Sequence, residues 1–439
     1  MAPPSRSVND YGLLAPHQRA KALGLDALPL GPPARGWITA RDFARAVIEG
    51  EPYRVEALMS FGSNIVVSQG ASSRNRDALR ALGFHVHVDM FLNPTAENAD
   101  IVLPASMPWE REALRVGFEI TQEAVELVQL RQAMVPALAE TRADYDIVFD
   151  LACRLGHADA FFGGSVEAGW NHQLAPLGLT VADLRARPEG IRVPQSFAER
   201  KYAAPGADGR PRGFATPTGR AELYSELLLA HGHPPLPGYV PPAGGGDPAL
   251  PLWLSTAKSG WYVHSSHRHV ASLRRKAPDP AVEISPAAAA SRGIRDGDWI
   301  TVRTAHGTAR LRARLDPALA DDVVIAEFGW WEDCPPLGRP RVPSTGAGTL
   351  NVNDALSDES RDPVSGSVPL RAVACEIARD EERSRGWWSG GRAFTVAGRA
   401  TRRERSSPAW RMTAAPTAGC QRGGLGSLCS GKDDCRRTT

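Results

Sequence analysis

VEISPAAAASRGIRDGDWITV, residues 282–302, carries a strand, a short helix, a tight turn and a second strand in immediate succession. VEIS (282–285) alternates apolar and polar residues as a half-buried strand does. PAAAASRG then reads as a short helix, GIRDG turns the chain at Asp296-Gly297, and DWITVRT resumes the alternation. Outward from this stretch the style persists. LPLWLST precedes it; TARLRARL and DVVIAEFGWW follow as strands separated by His306-Gly307 and Asp316-Pro317; VPLRAVACEI (368–377) closes the series. Six or so short strands with Gly turns and one helix predict a small β-barrel with its ligands at the mouth, held by loops.

Before the barrel, PPLPGYVPPAGGGDPALP (234–251) is a linker by composition: proline keeps it extended and the glycines loosen it. The predicted organisation is an α/β domain over 1–233, a linker over 234–250, the barrel over 251–382 and a tail over 383–439. Residues 157–247 carry few signals beyond short helical pieces such as TVADLRAR and RAELYSELLLA.

The amino-terminal part follows a different period. VEALMSF (55–61) is an apolar strand ending at Gly62-Ser63-Asn64. SRNRDALRALG (73–83) is a helix with Gly83 in a C-terminal cap position, FHVHVDMF (84–91) the next strand, and DIVLPA (100–105) another. Strand, helix and strand at this spacing form a parallel βαβ unit. ADYDIVFDLACRLG (143–156) adds an amphipathic helix with Ile147, Val148, Leu151, Ala152 and Leu155 on one face. The expectation is a doubly wound parallel sheet with helices on both faces. In such sheets ligands sit beyond the carboxyl ends of the strands. Gly62, Ser63 and Asn64 occupy that edge after one strand; Asp89 to Asn93 occupy it after another. Small residues there suit a phosphate or ribose, and the Asp89 carboxylate suits the N–H donors of a base or a ribose hydroxyl. A plain turn explains Gly-Ser-Asn as well.

Composition excludes some classes. A chain of 439 residues is too long for one ordinary core, and hydrophobic content of 42% with charged content of 23% fits a globular protein. No apolar run approaches the ~20 residues that cross a bilayer. The net charge of +2 hides a division: from Arg383 onward twelve Lys or Arg face three acids, whereas the rest carries 39 basic and 46 acidic side chains. The body is therefore mildly acidic, which argues against a general nucleic-acid binder. The basic tail is rich in Gly, Ser, Arg and Thr without aliphatic periodicity, and its composition predicts disorder rather than a nucleic-acid arm. Six cysteines, at 153, 334, 375, 420, 429 and 435, make neither a disulfide framework nor a CxxC metal pattern.

STAKSGWYVHSSHRHV (255–270) concentrates donors directly behind the first barrel strand. A metal site, a phosphate cradle and a wet loop all use such residues. His264, His267 and His269 are the zinc reading, but their spacing shares no helical or strand face, and no cysteine or carboxylate lies nearby in sequence.

Several stretches together resemble the second half of a molybdopterin oxidoreductase of the dimethyl sulfoxide reductase and formate dehydrogenase family. They are FGSN (61–64), VDMFLNPTAENADIVLPASMPWERE (88–112), a helix ending CRLG, the 255–270 segment, the opening stretch and DPVSGSVPLR (362–371). The resemblance spans about residues 35–380. It implies molybdenum or tungsten held by molybdopterin guanine dinucleotide, and a double-psi β-barrel of the aspartate-decarboxylase-like type. It further implies that FLNPTAENADIVLP belongs to the part holding a guanosine end, and that the 255–268 segment lies across a pterin. Thr256, Lys258, His264, Ser265, Ser266 and Arg268 are then cofactor contacts, with Asn353 and Arg371 matching positions near the pterin. Trp330 and Trp331 border the same corner, where core packing is their ordinary role.

The departures are specific. Relatives in this family have a cysteine cluster for an iron–sulfur centre and a protein ligand to the metal in their first half, and neither has a counterpart here. The expectation is the cofactor-holding half of a molybdenum or tungsten oxidoreductase. A 4Fe-4S centre enters only if a separate amino-terminal half exists, and an electron-transfer subunit is a further expected partner. The alternative is a non-catalytic remnant or nucleotide-binding protein. No export signal is visible, which suggests the cytoplasm; an exported partner half would place the assembly in the periplasm.

Overall fold

A computed structural model describes residues 15–116, 121–196, 199–214 and 216–380. The tail expected over 383–439 lies outside the described residues, as do Cys420, Cys429 and Cys435.

Helices α1 (Pro16–Arg19) and α2 (Ala40–Ile48) precede strand β1 (Ala57–Phe61). Helices α3 (Ile65–Ser68) and α4 (Ser72–Ala81) cross over to β2 (Phe84–Asp89), and a 3-10 turn at Ala96–Asn98 leads to β3 (Ile101–Pro104). The three strands pair in parallel in the order β1-β2-β3, with Ser60 opposite His87 and Val86 opposite Ile101. The βαβ reading thus holds. Gly83 differs from its expected role: the chain is already extended at Leu82, and Gly83 donates its N–H to the Glu56 carbonyl at 2.8 Å. A side chain there would stand 3.2 Å from that carbonyl, so close backbone approach, not a left-handed cap, selects the glycine.

β4 (Ala113–Val116) leads on to α5 (Gln122–Glu126) and β5 (Leu127–Arg131). α6 (Asp144–Arg154), α7 (Val166–Leu174) and α8 (Val181–Arg185) follow, then β6 (Ile191–Arg192) and α9 (Glu226–Ala230). β4, β5 and β6 form a small antiparallel sheet packed on Leu174, Val181 and Leu184. The sequence reading has no counterpart for this sheet, because its strands are short and lack sustained alternation. On α6 the expected apolar face is only partly used. Ile147 and Ala152 are buried, while Val148, Leu151 and Leu155 stand exposed.

The barrel is built from β7 (Leu252–Ala257), β8 (Ala281–Ile284), β9 (Trp299–Thr304), β10 (Thr308–Leu315), β11 (Val323–Glu327) and β12 (Val373–Arg379). Helices α10 (Ala271–Lys276) and α11 (Pro286–Ala290) lie in its connections. The strands close in the order β10-β8-β11-β7-β12-β9. β7–β11 and β8–β10 are parallel and the other pairs antiparallel. The period-2 pattern explains the closure. Leu254, Val282, Ile284, Ile300, Val302, Leu311, Val324 and Ile377 all point inward and form one core. Burying each such side chain contributes roughly 1.5–3 kcal/mol. Among the described residues no helix is long and apolar enough to cross a membrane.

Candidate functional site

Loops from the parallel sheet and from the barrel meet at the carboxyl ends of β1 and β2. Gly62, which donates its N–H to the Val88 carbonyl at 2.8 Å, begins the turn after β1. Asn93 ties this turn to the one after β2: its Nδ2 donates to the Ser63 carbonyl (3.1 Å) and to Asp89 Oδ2 (2.8 Å). Its Oδ1 accepts from the N–H groups of Thr95 and Ala96. Asp89 Oδ1 accepts from the Phe91 N–H at 3.2 Å. Asn93 is thus internally saturated and buried, whereas Ser63 Oγ and Asn64 Oδ1 are buried without a partner among the described residues.

From the barrel side, β7 ends in the donor-rich segment. Thr256 Oγ1 donates to the Leu370 carbonyl at 3.1 Å, which fixes the strand end. Val263 and Ser266 pair across a tight turn whose first central residue, His264, has φ 49°. That conformation is uncommon for a residue with a side chain. It is enforced from outside. Gly329, at φ 88°, lies so close that a Cβ there would come within 2.5 Å of the His264 carbonyl oxygen. Trp331 Nε1 donates to the Ser265 carbonyl at 2.5 Å, and Asn64 Nδ2 donates to Ser265 Oγ at 3.3 Å. The ring of Phe91 packs 4.8 Å from that of His269, and Arg341 donates to the Leu92 carbonyl at 3.0 Å. The turns at 62–64 and 89–93 therefore meet the barrel segment at Ser265 and His269, and this junction forms one mouth.

Arg268 departs from the expected picture. It is 1% exposed, and its guanidinium donates to the His264 and Phe328 carbonyls at 2.7 and 2.8 Å. It lies between the Tyr262 and Trp330 rings at 4.6 and 4.9 Å. Burial lowers its pKa to about 10 against the opposing charge of Glu332. The side chain braces the turn from within rather than facing its open side. Asn353 is likewise internal: its Nδ2 donates to the Val67 carbonyl at 2.8 Å, clamping the barrel loop onto α3. Lys258, His264, Ser266 and Arg371 are exposed and Ser265 half-buried. Trp330 is fully buried with Tyr262 and Leu350. Among the described residues no group of three His, Cys, Asp or Glu comes together to hold a metal ion, and His269 Nδ1 lies 3.2 Å from Glu332 Oε1.

The sequence reading missed Glu332, which accepts from the Arg268 backbone N–H at 2.6 Å, and it missed Gly329. It also passed over a buried polar cluster of Ser60, His85 and His87, both histidines being 0% exposed. The signal was there: in FHVHVD the two histidines fall two apart, on one face of a strand whose next such position is Asp89.

Residues 44–154 match the family model described as "Molybdopterin oxidoreductase", and residues 252–374 the one described as "Molydopterin dinucleotide binding domain". The chain is 27% identical over 431 aligned positions to dopamine dehydroxylase of Eggerthella lenta, covering 81% of this chain and 41% of that protein. It is 28% identical over 337 positions to acetylene hydratase of Syntrophotalea acetylenica, covering 74% of this chain and 44% of that one. The solved acetylene hydratase from Pelobacter acetylenicus superposes with a TM-score of 0.71 at 24% identity, over 84% of this chain and 53% of that chain. The chain thus spans about two fifths to half the length of these relatives.

The two matched models support molybdopterin guanine dinucleotide with molybdenum or tungsten as the cofactor, and the mouth fits such a group. Ser63 Oγ and Asn64 Oδ1 are buried acceptors without partners, each costing about 1–3 kcal/mol until paired. A side chain at Gly62 would meet nothing within 4 Å, so the backbone is approachable. Lys258 and Ser266, on the barrel segment, are exposed. The fold, the two matched regions and the donor set agree: this chain belongs to the molybdopterin oxidoreductase family.

Proposed function

We propose that this chain is the cofactor-holding part of a molybdenum or tungsten oxidoreductase. Gly62–Asn64 and Asp89–Asn93 receive the guanosine nucleotide end, and Thr256, Lys258, His264, Ser265 and Ser266 lie against the pterin and its phosphates, with Arg371 at the rim. Arg268 and Asn353 position this surface from beneath. The observation that carries the reading is the Asn64–Ser265 hydrogen bond, which puts both donor segments at one mouth. The closed barrel, with its two parallel pairs β7–β11 and β8–β10, supports a double-psi topology for the carboxyl-terminal domain.

When bound, the metal–dithiolene group supplies two-electron or oxygen-atom chemistry. The residues here bind it, orient it and exclude water. A protein ligand to the metal and an iron–sulfur path are proposed to come from polypeptide matching the part of the relatives that this chain does not span; the 41% and 44% coverage supports that division. The test is chemical. Chain purified from molybdate-fed cells is expected to release GMP and oxidised pterin in equal amounts on acid treatment, and Lys258→Ala to release less of both. Absence of GMP and pterin from well-folded protein would overturn the reading.

A further inference from the structure

The third strand of the parallel sheet also ends at its carboxyl side in a buried polar side chain. Beyond Pro104 the chain stays extended for one more residue: Ala105 donates its N–H to the Asp89 carbonyl at 3.0 Å and bridges Arg142 in parallel. Ser106 follows, and its N–H goes to the Arg142 carbonyl at 2.8 Å. The backbone is thus tied on one side to β2 and on the other to the segment that enters α6.

Register fixes where the Ser106 side chain stands. Asp89 is paired with Pro104, and paired residues of a ladder share a face of the sheet. Ser106, two residues on, falls on that same face, one step nearer the carboxyl end. The opposite face is filled, because Leu103 and Ala105 pack with Met59, Val88 and Ile147. Ser106 is 2% exposed, yet its Oγ has no hydrogen-bond partner among the described residues. Ser63 Oγ and Asn64 Oδ1, at the end of β1, share that condition.

Buried polar atoms of this kind are ordinarily paired, with protein, water or ligand. Here unpaired oxygens stand at the ends of β1 and β3, with Asp89 on β2 between them. Neighbouring strands lie about 4.8 Å apart, so the row spans roughly 10 Å and one nucleoside can reach across it. Asp89 accepts from the Phe91 N–H at Oδ1 and from Asn93 Nδ2 at Oδ2. A carboxylate has about four acceptor positions, so it can take further donors from a ligand. A hydroxyl beside it both donates and accepts, whereas a phosphate in that place would meet the carboxylate charge. The pair therefore suits the neutral part of a nucleotide, its base or ribose.

We propose that Ser106 is a further binding residue for the guanosine end of the cofactor, its hydroxyl hydrogen-bonding to the base or ribose that Asp89 also holds. This rests on the reading of 62–64 and 89–93 as the guanosine end, and extends that end to the third strand.

GDP titration and thermal unfolding of the full chain, as wild type and as Ser106→Ala, test it together. Ser106→Ala is expected to bind GDP at least fivefold more weakly. The ligand-free variant is expected to melt at the wild-type temperature or above, because the hydroxyl it loses has no partner inside the fold. A smaller loss of affinity overturns the proposal. So does a lowered melting temperature, which would show the hydroxyl bonded within the protein. Wild type that binds GDP beside an unaffected Ser106→Ala overturns the role of Ser106 alone, whereas wild type that binds no GDP overturns the guanosine reading and this extension with it.

Discussion

Asn64 and Ser265, 201 residues apart in the chain, are joined by a hydrogen bond of 3.3 Å from the amide nitrogen of the first to the hydroxyl of the second. One closes the first strand of the parallel sheet; the other sits in the turn behind the first strand of the barrel. Neither segment is held by this bond alone. Asn353 clamps the barrel loop to the Val67 carbonyl, and Ser73 N–H donates to Asp354 at 2.8 Å. The mouth is thus a rigid junction of two sets of loops, and the predictions below separate residues that build it from residues that face it.

Gly329→Ala should damage the junction. The added carbon falls 2.5 Å from the His264 carbonyl oxygen at a backbone φ of 88°, so the 263–266 turn must move. A stability loss of about 1–3 kcal/mol is expected, together with weaker cofactor retention. Calorimetry paired with GMP release checks both, and an unchanged melting temperature would contradict the close approach.

Arg268→Met should destabilise by about 1–3 kcal/mol, because it leaves the His264 and Phe328 carbonyls without their buried donor. Arg268→Lys should recover little, since one ammonium cannot reach both the His264 and Phe328 carbonyls and still lie between two rings. Urea midpoints of the three proteins decide it.

Lys258→Ala and Ser266→Ala should do the reverse. Both residues are exposed, so stability should stay within about 0.5 kcal/mol of wild type. Cofactor retention should fall by ~1–3 kcal/mol for the charged contact at Lys258. If neither the melting temperature nor the cofactor content changes, Lys258 has no part in binding.

Acid should weaken the fold through His85. Burial, and next the neighbouring His87, lower its pKa below the ordinary histidine value. The unfolded chain, titrating near 6.5, then takes the proton first. The contribution of His85 to stability is therefore whole above about pH 6.5 and shrinks as the pH falls toward the lowered folded value. Comparing urea midpoints at pH 7.5 and 5.5, wild type should lose more than His85→Gln. An equal loss would show that His85 charges freely in the folded state.

The barrel was legible almost strand by strand, because tight turns and strict alternation left each strand one way to face the core. Its last strand begins only at Val373, five residues beyond the start of VPLRAVACEI, since Ala372, at φ 57°, breaks the extended run just before it. The βαβ unit was equally legible. What stayed hidden depends on tertiary contact. Nothing in the letters distinguishes Arg268, consumed inside the turn, from Lys258, left in solvent ten residues earlier. Glu332 follows two tryptophans and looks like a surface acid until the fold sets it under the Arg268 backbone. The β4-β5-β6 sheet takes its third strand from two residues, Ile191 and Arg192, too few for any periodicity.

Hydrogen exchange on the cofactor-loaded and cofactor-free chain tests the central claim most directly. A single group bridging the junction should slow amide exchange in residues 62–64 with 89–93 and in 256–266 together, and Asn64→Ala should weaken both sets of protection. Protection confined to one segment, or none at either with cofactor bound, would contradict a shared mouth.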